Sequence, residues 1–263
     1  MNDLPVTAFD ELARNYDAQF TATALGTALR HMSWTHFERV FAGRDYLLDL
    51  GCGTGEDAIH LARRGHRVLA TDASLQMVRE ARHKAERAGC AESIRFVWAP
   101  MERLASELAG EKFDGMYSNF GAMNCAADLP ALARDLATLL RAEAPLAWVV
   151  MGRYVPWEWA WYLARGDPGT AFRRLRPQGV SWRGLQVSYP TPAALARALA
   201  PHFVASVATP LGFALPGSYA ASFLERSPRL LGALVRTEEV LRRLPLLAAC
   251  ADHYLFEARR PPA

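Results

Sequence analysis

Leu47-Leu48-Asp49-Leu50-Gly51-Cys52-Gly53-Thr54-Gly55 decides the fold of this 263-residue chain. Its opening positions are apolar apart from Asp49, the pattern of a short buried strand. Three glycines then alternate with small residues before Glu56-Asp57-Ala58-Ile59-His60-Leu61 begins a helical spacing. The order is strand, tight turn, helix. A strand that delivers its carboxyl end into a glycine turn lets backbone approach a ligand closely, and the start of the next helix offers free N–H groups. The stretch therefore predicts a nucleotide-binding turn.

The form of the turn narrows the class. A dinucleotide fingerprint reads G-x-G-x-x-G, whereas here the third glycine comes one residue early, and the Lys-Ser/Thr ending of a phosphate-cradling loop is missing. His66 to Thr71 reads as a second short strand, and it ends in Asp72, 17 residues beyond Gly55. An acidic residue at the tip of the second strand, about 20 residues past the turn, accepts ribose hydroxyls in nucleotide-binding α/β folds.

Residue for residue, the acidic position in an apolar strand followed by G-x-G-x-G resembles the first motif of the class I S-adenosylmethionine (SAM)-dependent methyltransferases. VLATDAS, residues 68–74, is similar to that family's second-strand motif. The resemblance covers residues 45–150 well and the rest loosely. It implies SAM as cofactor and S-adenosylhomocysteine as product. It also implies roles: Asp49 and Gly51 at the methionine end, Cys52, Gly53 and Gly55 for close backbone approach, Asp72 on the ribose. Ala73, Leu75, Met77, Pro100 and Met101 would sit around the adenine, and Asn119 near the transferable methyl. The phrase FDELARNYDAQF, residues 9–20, is similar to leading helices that fold over the cofactor, with Tyr16 over its methionine end. One departure stands out. After the third strand the family often has a small residue followed by Asp, whereas this chain has Ala99-Pro100-Met101, leaving adenine to backbone atoms, Met101 or Glu102.

Around this centre the chain alternates strands and helices: a helix to about Arg64, another from Ser74 to Ala88 stopped by Gly89, and a strand over Ile94–Trp98. A strand within Lys112–Asn119, a helix over Leu129–Arg141 and a strand over Leu146–Met151 follow. Such alternation predicts an α/β, Rossmann-like, doubly wound sheet, mostly parallel, and the family resemblance implies seven strands with the last antiparallel. A helix over Thr191–Ala200, a strand near Phe203–Leu211, a helical stretch over Tyr219–Leu244 and a strand over Tyr254–Ala258 complete it. One domain is expected, with N-terminal lid helices in 1–44, the SAM-binding core in 45–151, an inserted cap in 152–189 and the rest of the sheet in 190–263.

The cap is read from composition. Arg153-Tyr154-Val155-Pro156-Trp157-Glu158-Trp159-Ala160-Trp161-Tyr162 is far richer in aromatics than any other segment and leads to Arg165, Arg173, Arg174 and Arg176. As a helix it places Trp157 and Trp161 on one face and Trp159 nearly opposite, so both sides need apolar neighbours. Arg153, Trp157, Trp161 and, beside the fourth strand, Asn124 are the expected substrate-binding residues. Aromatics with arginines suit an aromatic or lipophilic small molecule bearing an anionic group.

The acid and base counts, 27 and 30, nearly cancel, and no base-flipping motif follows the fourth strand, where SNFGAM stands; nucleic acid is not the expected partner. No stretch of 18 apolar residues and no export signal is present, and the four cysteines make no C-x-x-C pair, so a cytoplasmic protein without a metal or disulfide framework is expected. The apolar cap could bury against a second copy as a homodimer. Methyl transfer from a sulfonium demands mainly orientation and at most one proton acceptor. His253, His202 and Tyr16 are the catalytic candidates, with His31, His36 and Tyr154 behind them. The competing classes are an NAD(P)-dependent oxidoreductase, which needs the longer glycine fingerprint, and a non-catalytic SAM-binding scaffold.

Overall fold

The computed structural model describes residues 9–262, so the first eight residues of the expected lid lie outside the described residues. Strands β1 (Tyr46–Leu50), β2 (Arg67–Asp72), β3 (Ile94–Trp98), β4 (Gly115–Ser118) and β5 (Pro145–Met151) run parallel. A short hairpin of β6 (Val180–Trp182) and β7 (Leu185–Val187) stands apart, and β8 (Val204–Leu211) and β9 (His253–Arg259) return to the main sheet. Its order is β3-β2-β1-β4-β5-β9-β8, with β9 antiparallel to both neighbours. The doubly wound, mostly parallel seven-stranded sheet read from the sequence is the sheet observed.

Both faces of the sheet are buried, which is why its strands are apolar almost throughout. Along β5, Leu146, Trp148 and Val150 join Tyr254 and Phe256 in one core, while Ala147 and Val149 join Leu255, Phe37 and Phe41 in the other. Each fully buried side chain of this size contributes about 1.5–3 kcal/mol relative to exposure. The helices start where side chains can take their free N–H groups: Ser74 Oγ accepts from Met77 N–H at 3.1 Å, Asp128 from Ala131 at 3.0 Å and Thr191 from Ala194 at 3.2 Å. The Leu75–Arg87 helix stops at Gly89, whose φ of +69° suits glycine.

Two elements differ from the sequence reading. The helix expected over 219–244 is broken into Ala221–Glu225 and Pro228–Leu241, because Pro228 lacks an N–H and begins a new helix at its first position. The cap contains the β6–β7 hairpin, which was not expected. Its two turn residues, Arg183 and Gly184, both have positive φ (+49° and +82°), a turn type that arginine rarely signals. No helix among the described residues is long and apolar enough to cross a membrane.

Candidate functional site

The chain winds one way from β1 and the other way from β4, so the crevice outside their carboxyl ends is the switch point where open α/β sheets bind ligands. Gly51, Gly53 and Gly55 line it with φ of +75°, +52° and +82°. A Cβ on Gly51 would lie 2.3 Å from Ala122 Cβ and one on Gly55 2.9 Å from Ala81 Cβ, whereas one on Gly53 meets nothing within 4 Å. The outer glycines let the protein pack on the turn, and the middle one presents bare backbone to open space. The Gly51 and Cys52 N–H groups donate to Thr71 O at 2.9 and 2.8 Å, tying the turn to β2.

Asp72 sits beside this opening. Its Oδ2 accepts from Gly53 N–H at 2.9 Å and its Oδ1 from Ser74 N–H at 2.8 Å, leaving each oxygen a lone pair for a further donor. Burial pushes its carboxyl up to about 6, opposed by the Ser74 and Gly53 N–H groups. Asp49 is buried in β1, and its Oδ2 has no hydrogen-bond partner in the protein. Burial and then the charge of Asp57 drive its carboxyl well above the ordinary range. Ala73 is exposed at the crevice rim, and its carbonyl accepts from Trp98 Nε1 at 2.9 Å, which draws the partly exposed Trp98 ring to the tip of β2. Pro100 and Met101 are half-buried just beyond β3. Met77 is 1% exposed, and Leu75 keeps the half-exposed position at the rim.

The N-terminal segment closes the other side. Asp17 accepts from Thr54 Oγ1 of the glycine turn at 2.6 Å and pairs with Lys84, which also holds Glu56 at 2.8 Å. Tyr16, one residue earlier, has its hydroxyl raised by burial, with Arg30, Asp57, Asp72 and Asp17 all acting on it; these are the groups around the turn. Arg30 is buried on the Ala24–Val40 helix and clamps both oxygens of Asp57 at 2.7 and 2.8 Å, and Trp34 Nε1 donates to Asp57 at 2.6 Å. Burial works against the Arg30 cation, but Asp57, with Tyr16 and Glu56, more than offsets it. The guanidinium lies 5.9 Å from the Phe20 ring centre and 5.0 Å from that of Phe120. Asn119 donates to Ser33 Oγ at 3.0 Å and accepts from Phe120 N–H at 3.1 Å, and Phe120 holds a φ of +49°, backbone strain of the kind that collects at functional sites.

His253 opens β9, paired with Met151 of β5 and Leu211 of β8, and so lies at the same end of the sheet as the glycine turn. Its ring meets Phe120 edge-on at 5.6 Å, and its Nδ1 lies 3.0 Å from Asp252 Oδ2. Behind Asp252 stands Arg174, 2.7 Å from Asp252 Oδ1 and 2.7 Å from Glu158 Oε2. Burial opposes the charge on Asp252, but Arg174 and His253 hold its carboxyl well below the ordinary range. Glu158, the one fully buried residue of the Pro156–Leu163 helix, is pushed up by burial, and its ion pairs with Arg174 and Arg173 offset this only in part. The expected need for apolar neighbours on both sides of this helix is therefore met differently: the tryptophans stay partly exposed and a carboxylate is the residue buried.

The remaining candidates fall into three groups. Trp157 donates from Nε1 to Phe213 O at 3.1 Å, and Arg153 donates to Leu175 O at 2.8 Å. Trp161 packs on Tyr219 at 5.4 Å with Arg165 over its ring at 3.6 Å, so it joins the cap to the 218–225 segment. Asn124 is corrected: its Nδ2 donates to Met151 O and Ser188 O at 3.2 and 2.7 Å and its Oδ1 accepts from Met151 N–H at 2.8 Å, which commits the whole amide to joining β5 and the end of the cap. His202 is also corrected. It precedes Val204, the β8 residue paired with Arg259, and lies at the amino end of the parallel strands, the rim opposite the crevice. Sequence reasoning gave no role to Arg30, Asp57, Trp98 or Asp252 and named Arg174 only among the cap arginines; only Asp57, in the first turn after the glycines, had a local signal. Among the described residues no group of three or more His, Cys, Asp or Glu could hold a metal ion.

Residues 47–143 match the model of a family described as a methyltransferase domain. The tRNA 5-carboxymethoxyuridine methyltransferase of Escherichia coli strain K12 is 34% identical over 104 residues, which cover 38% of this chain and 40% of that protein. The demethylmenaquinone methyltransferase of Corynebacterium urealyticum is 28% identical over 141 residues, covering 54% of this chain and 56% of that one. The chain thus spans from two-fifths to just over half the length of these curated relatives. Among solved structures, the CcbJ methyltransferase of Streptomyces caelestis shares the fold with a TM-score of 0.63 over 97% of this chain and 98% of that one, at 14% identity.

Proposed function

We propose, from the premise that residues 47–143 are a class I SAM-dependent methyltransferase domain, that this chain transfers a methyl group from SAM to a small-molecule acceptor, aromatic or lipophilic and carrying an anionic group. The observation that carries the reading is the glycine turn: bare backbone at Gly53 faces open space beside a carboxylate at the tip of β2. The residues present fit the cofactor. Asp72 has lone pairs for the ribose hydroxyls, the unpartnered Asp49 Oδ2 awaits a donor, and the Arg30 guanidinium supplies positive charge for an amino-acid carboxylate. When bound, SAM supplies a methyl on a sulfonium, so the acceptor's lone pair displaces a neutral thioether.

The chain's own residues then hold and shield. Tyr16 and Asp17 cover the turn, Phe20 and Phe120 form an apolar wall, and residues 152–189 cover the acceptor, with Arg153, Trp157 and Trp161 shaping its end. His253 takes the proton of a hydroxyl, amine or acidic C–H acceptor. A homodimer through the cap and a cytoplasmic setting belong to the same reading.

The test is calorimetric titration with S-adenosylhomocysteine, NADPH in parallel, then labelled SAM with a panel of anionic aromatic and lipophilic acceptors. Micromolar binding of the homocysteine compound alone is expected; binding of NADPH alone, or of neither, overturns the reading. A second reading, an RNA nucleoside as acceptor, is favoured by the name of the E. coli relative and by charge. Residues 152–189 hold six Arg against one Asp and one Glu, a net +4 (6 − 2), in a chain of net +3. Label passing to bulk tRNA and to none of the small molecules selects it.

A further inference from the structure

The buried ions behind His253 have no place in the cofactor site, yet all three are buried. Arg174 is 7% exposed, Glu158 0% and Asp252 4%. Arg174 Nη2 reaches both carboxylates at 2.7 Å, and its Nη1 donates to Gly152 O and Asp252 O at 3.1 Å each, while the Tyr189 ring lies 5.2 Å from its centre. One guanidinium thus joins the 156–163 helix, the end of β5 and the start of β9. A buried ion cluster of this kind is weak evidence for stability, because well-packed apolar residues often serve as well. Its geometry points elsewhere. With Asp252 Oδ1 held by Arg174, only Oδ2 is left to face the imidazole.

We infer that Arg174 is a positioning residue for His253: it fixes the Asp252 carboxylate with Oδ2 3.0 Å from Nδ1, not yet aligned as a hydrogen bond, so that a small rotation of the imidazole seats its proton on Nδ1 and leaves Nε2 as the acceptor. This rests on the reading of His253 as the proton acceptor. It also links residues 152–189 to that acceptor, because Glu158 shares the same guanidinium. A neutral imidazole places its proton on the nitrogen whose neighbour can accept it, and a carboxylate held from behind offers one such oxygen. The charged and titratable groups around His253 are Asp252 beside it, Glu158, Arg173 and Arg174 from the cap, Tyr189 from the cap's end and Tyr219 from the 218–220 turn. Its strand partners Met151 and Leu211 and the ring of Phe120 carry none. Removing the Arg174 cation frees the Asp252 carboxylate to turn, so Oδ2 no longer faces Nδ1 in one fixed place.

The experiment is nitrogen NMR of the full chain labelled with 15N-histidine and saturated with S-adenosylhomocysteine, with His253→Asn assigning the resonance. The expected wild-type signature at neutral pH is the Nδ1-protonated tautomer. In Arg174→Met the tautomer becomes mixed. Arg174→Lys, which keeps the charge without the two-sided reach, falls between. An Arg174→Met spectrum with the wild-type tautomer overturns the inference. If that variant fails to bind S-adenosylhomocysteine within threefold of wild type, the same spectra from the paired Glu158→Gln, Arg174→Met protein decide by the same criterion. The underlying reading fails separately: a His253→Asn protein that keeps full turnover with the acceptor found by screening removes His253 as the base, whatever Arg174 does.

Discussion

The two sides of the crevice are built from different materials. On the cofactor side the working surface is backbone: three glycines at positive φ, two N–H groups tied to Thr71 O and one carboxylate held by main-chain donors. On the side proposed for the acceptor it is side chains buried in ion pairs, Glu158 to Arg174 to Asp252 to His253, with Glu238 behind them. A surface made of backbone depends on a few local conformations. A surface made of ions depends on partners far apart in the chain. The first tolerates little change at single positions, and the second stands or falls with its pairings.

Five substitutions and one titration would break or sharpen that contrast. The largest effect is expected at Glu238, whose buried carboxylate accepts from the N–H groups of Gly212 at 2.8 Å, Phe213 at 3.2 Å and Ala214 at 2.6 Å. Glu238→Ala leaves these donors unpaired and should lower stability by about 3 kcal/mol or more, read by denaturant unfolding. Gly51→Ala should cost about 1–3 kcal/mol for its backbone conformation beyond its contact with Ala122, and abolish measurable S-adenosylhomocysteine binding; Gly53→Ala, facing open space, should fold better but still weaken binding. Calorimetry that finds Gly51→Ala equal to wild type would put the turn outside the site. Asp72→Asn should weaken the same binding by about 1.5–3 kcal/mol, roughly ten- to a hundredfold.

The pH dependence of Asp72 carries a sign of its own. Its raised carboxyl, about 6 when folded, is ionised only above that value, so cofactor affinity should fall as pH drops through about 6. The contribution of the same group to stability runs the other way: it is fully present below the unfolded value near 3.8 and is lost as pH rises through about 6. Asp72→Asn should flatten both curves, as titration calorimetry and unfolding at several pH values would show. The smallest change is Trp157→Phe, which removes one hydrogen bond to Phe213 O and should cost about 0.5–1.5 kcal/mol while leaving S-adenosylhomocysteine affinity alone.

The contrast also explains what could be read from the chain. Gly51, Gly53, Gly55 and Asp72 are legible because the chemistry needs fixed residue types at fixed local spacing, and the strand alternation around them is equally local. Asn124 looked available because a polar residue beside the crevice suggests a ligand; its amide is consumed by Met151 and Ser188, 27 and 64 residues away. Arg174 and Asp252 are 78 residues apart, and nothing in either neighbourhood announces the pairing. His202 and His253 were equal as letters. Only the strand pairing separates them, by placing one at the amino rim and the other at the crevice.

The fastening of Asp17 to Thr54 and Lys84 bears on how molecules come and go. Asp17 and Glu56 are partly open to solvent, and ion pairs of that sort hold elements together by little, with ordinary salt screening them further. The segment that carries Tyr16 is therefore clasped by charge and not cemented by a deep apolar core. We propose that this clasp, with the Asp10–Ser74 and Phe20–Phe120 contacts beside it, opens for release of spent cofactor, at a rate that rises with ionic strength while the sheet beneath stays folded.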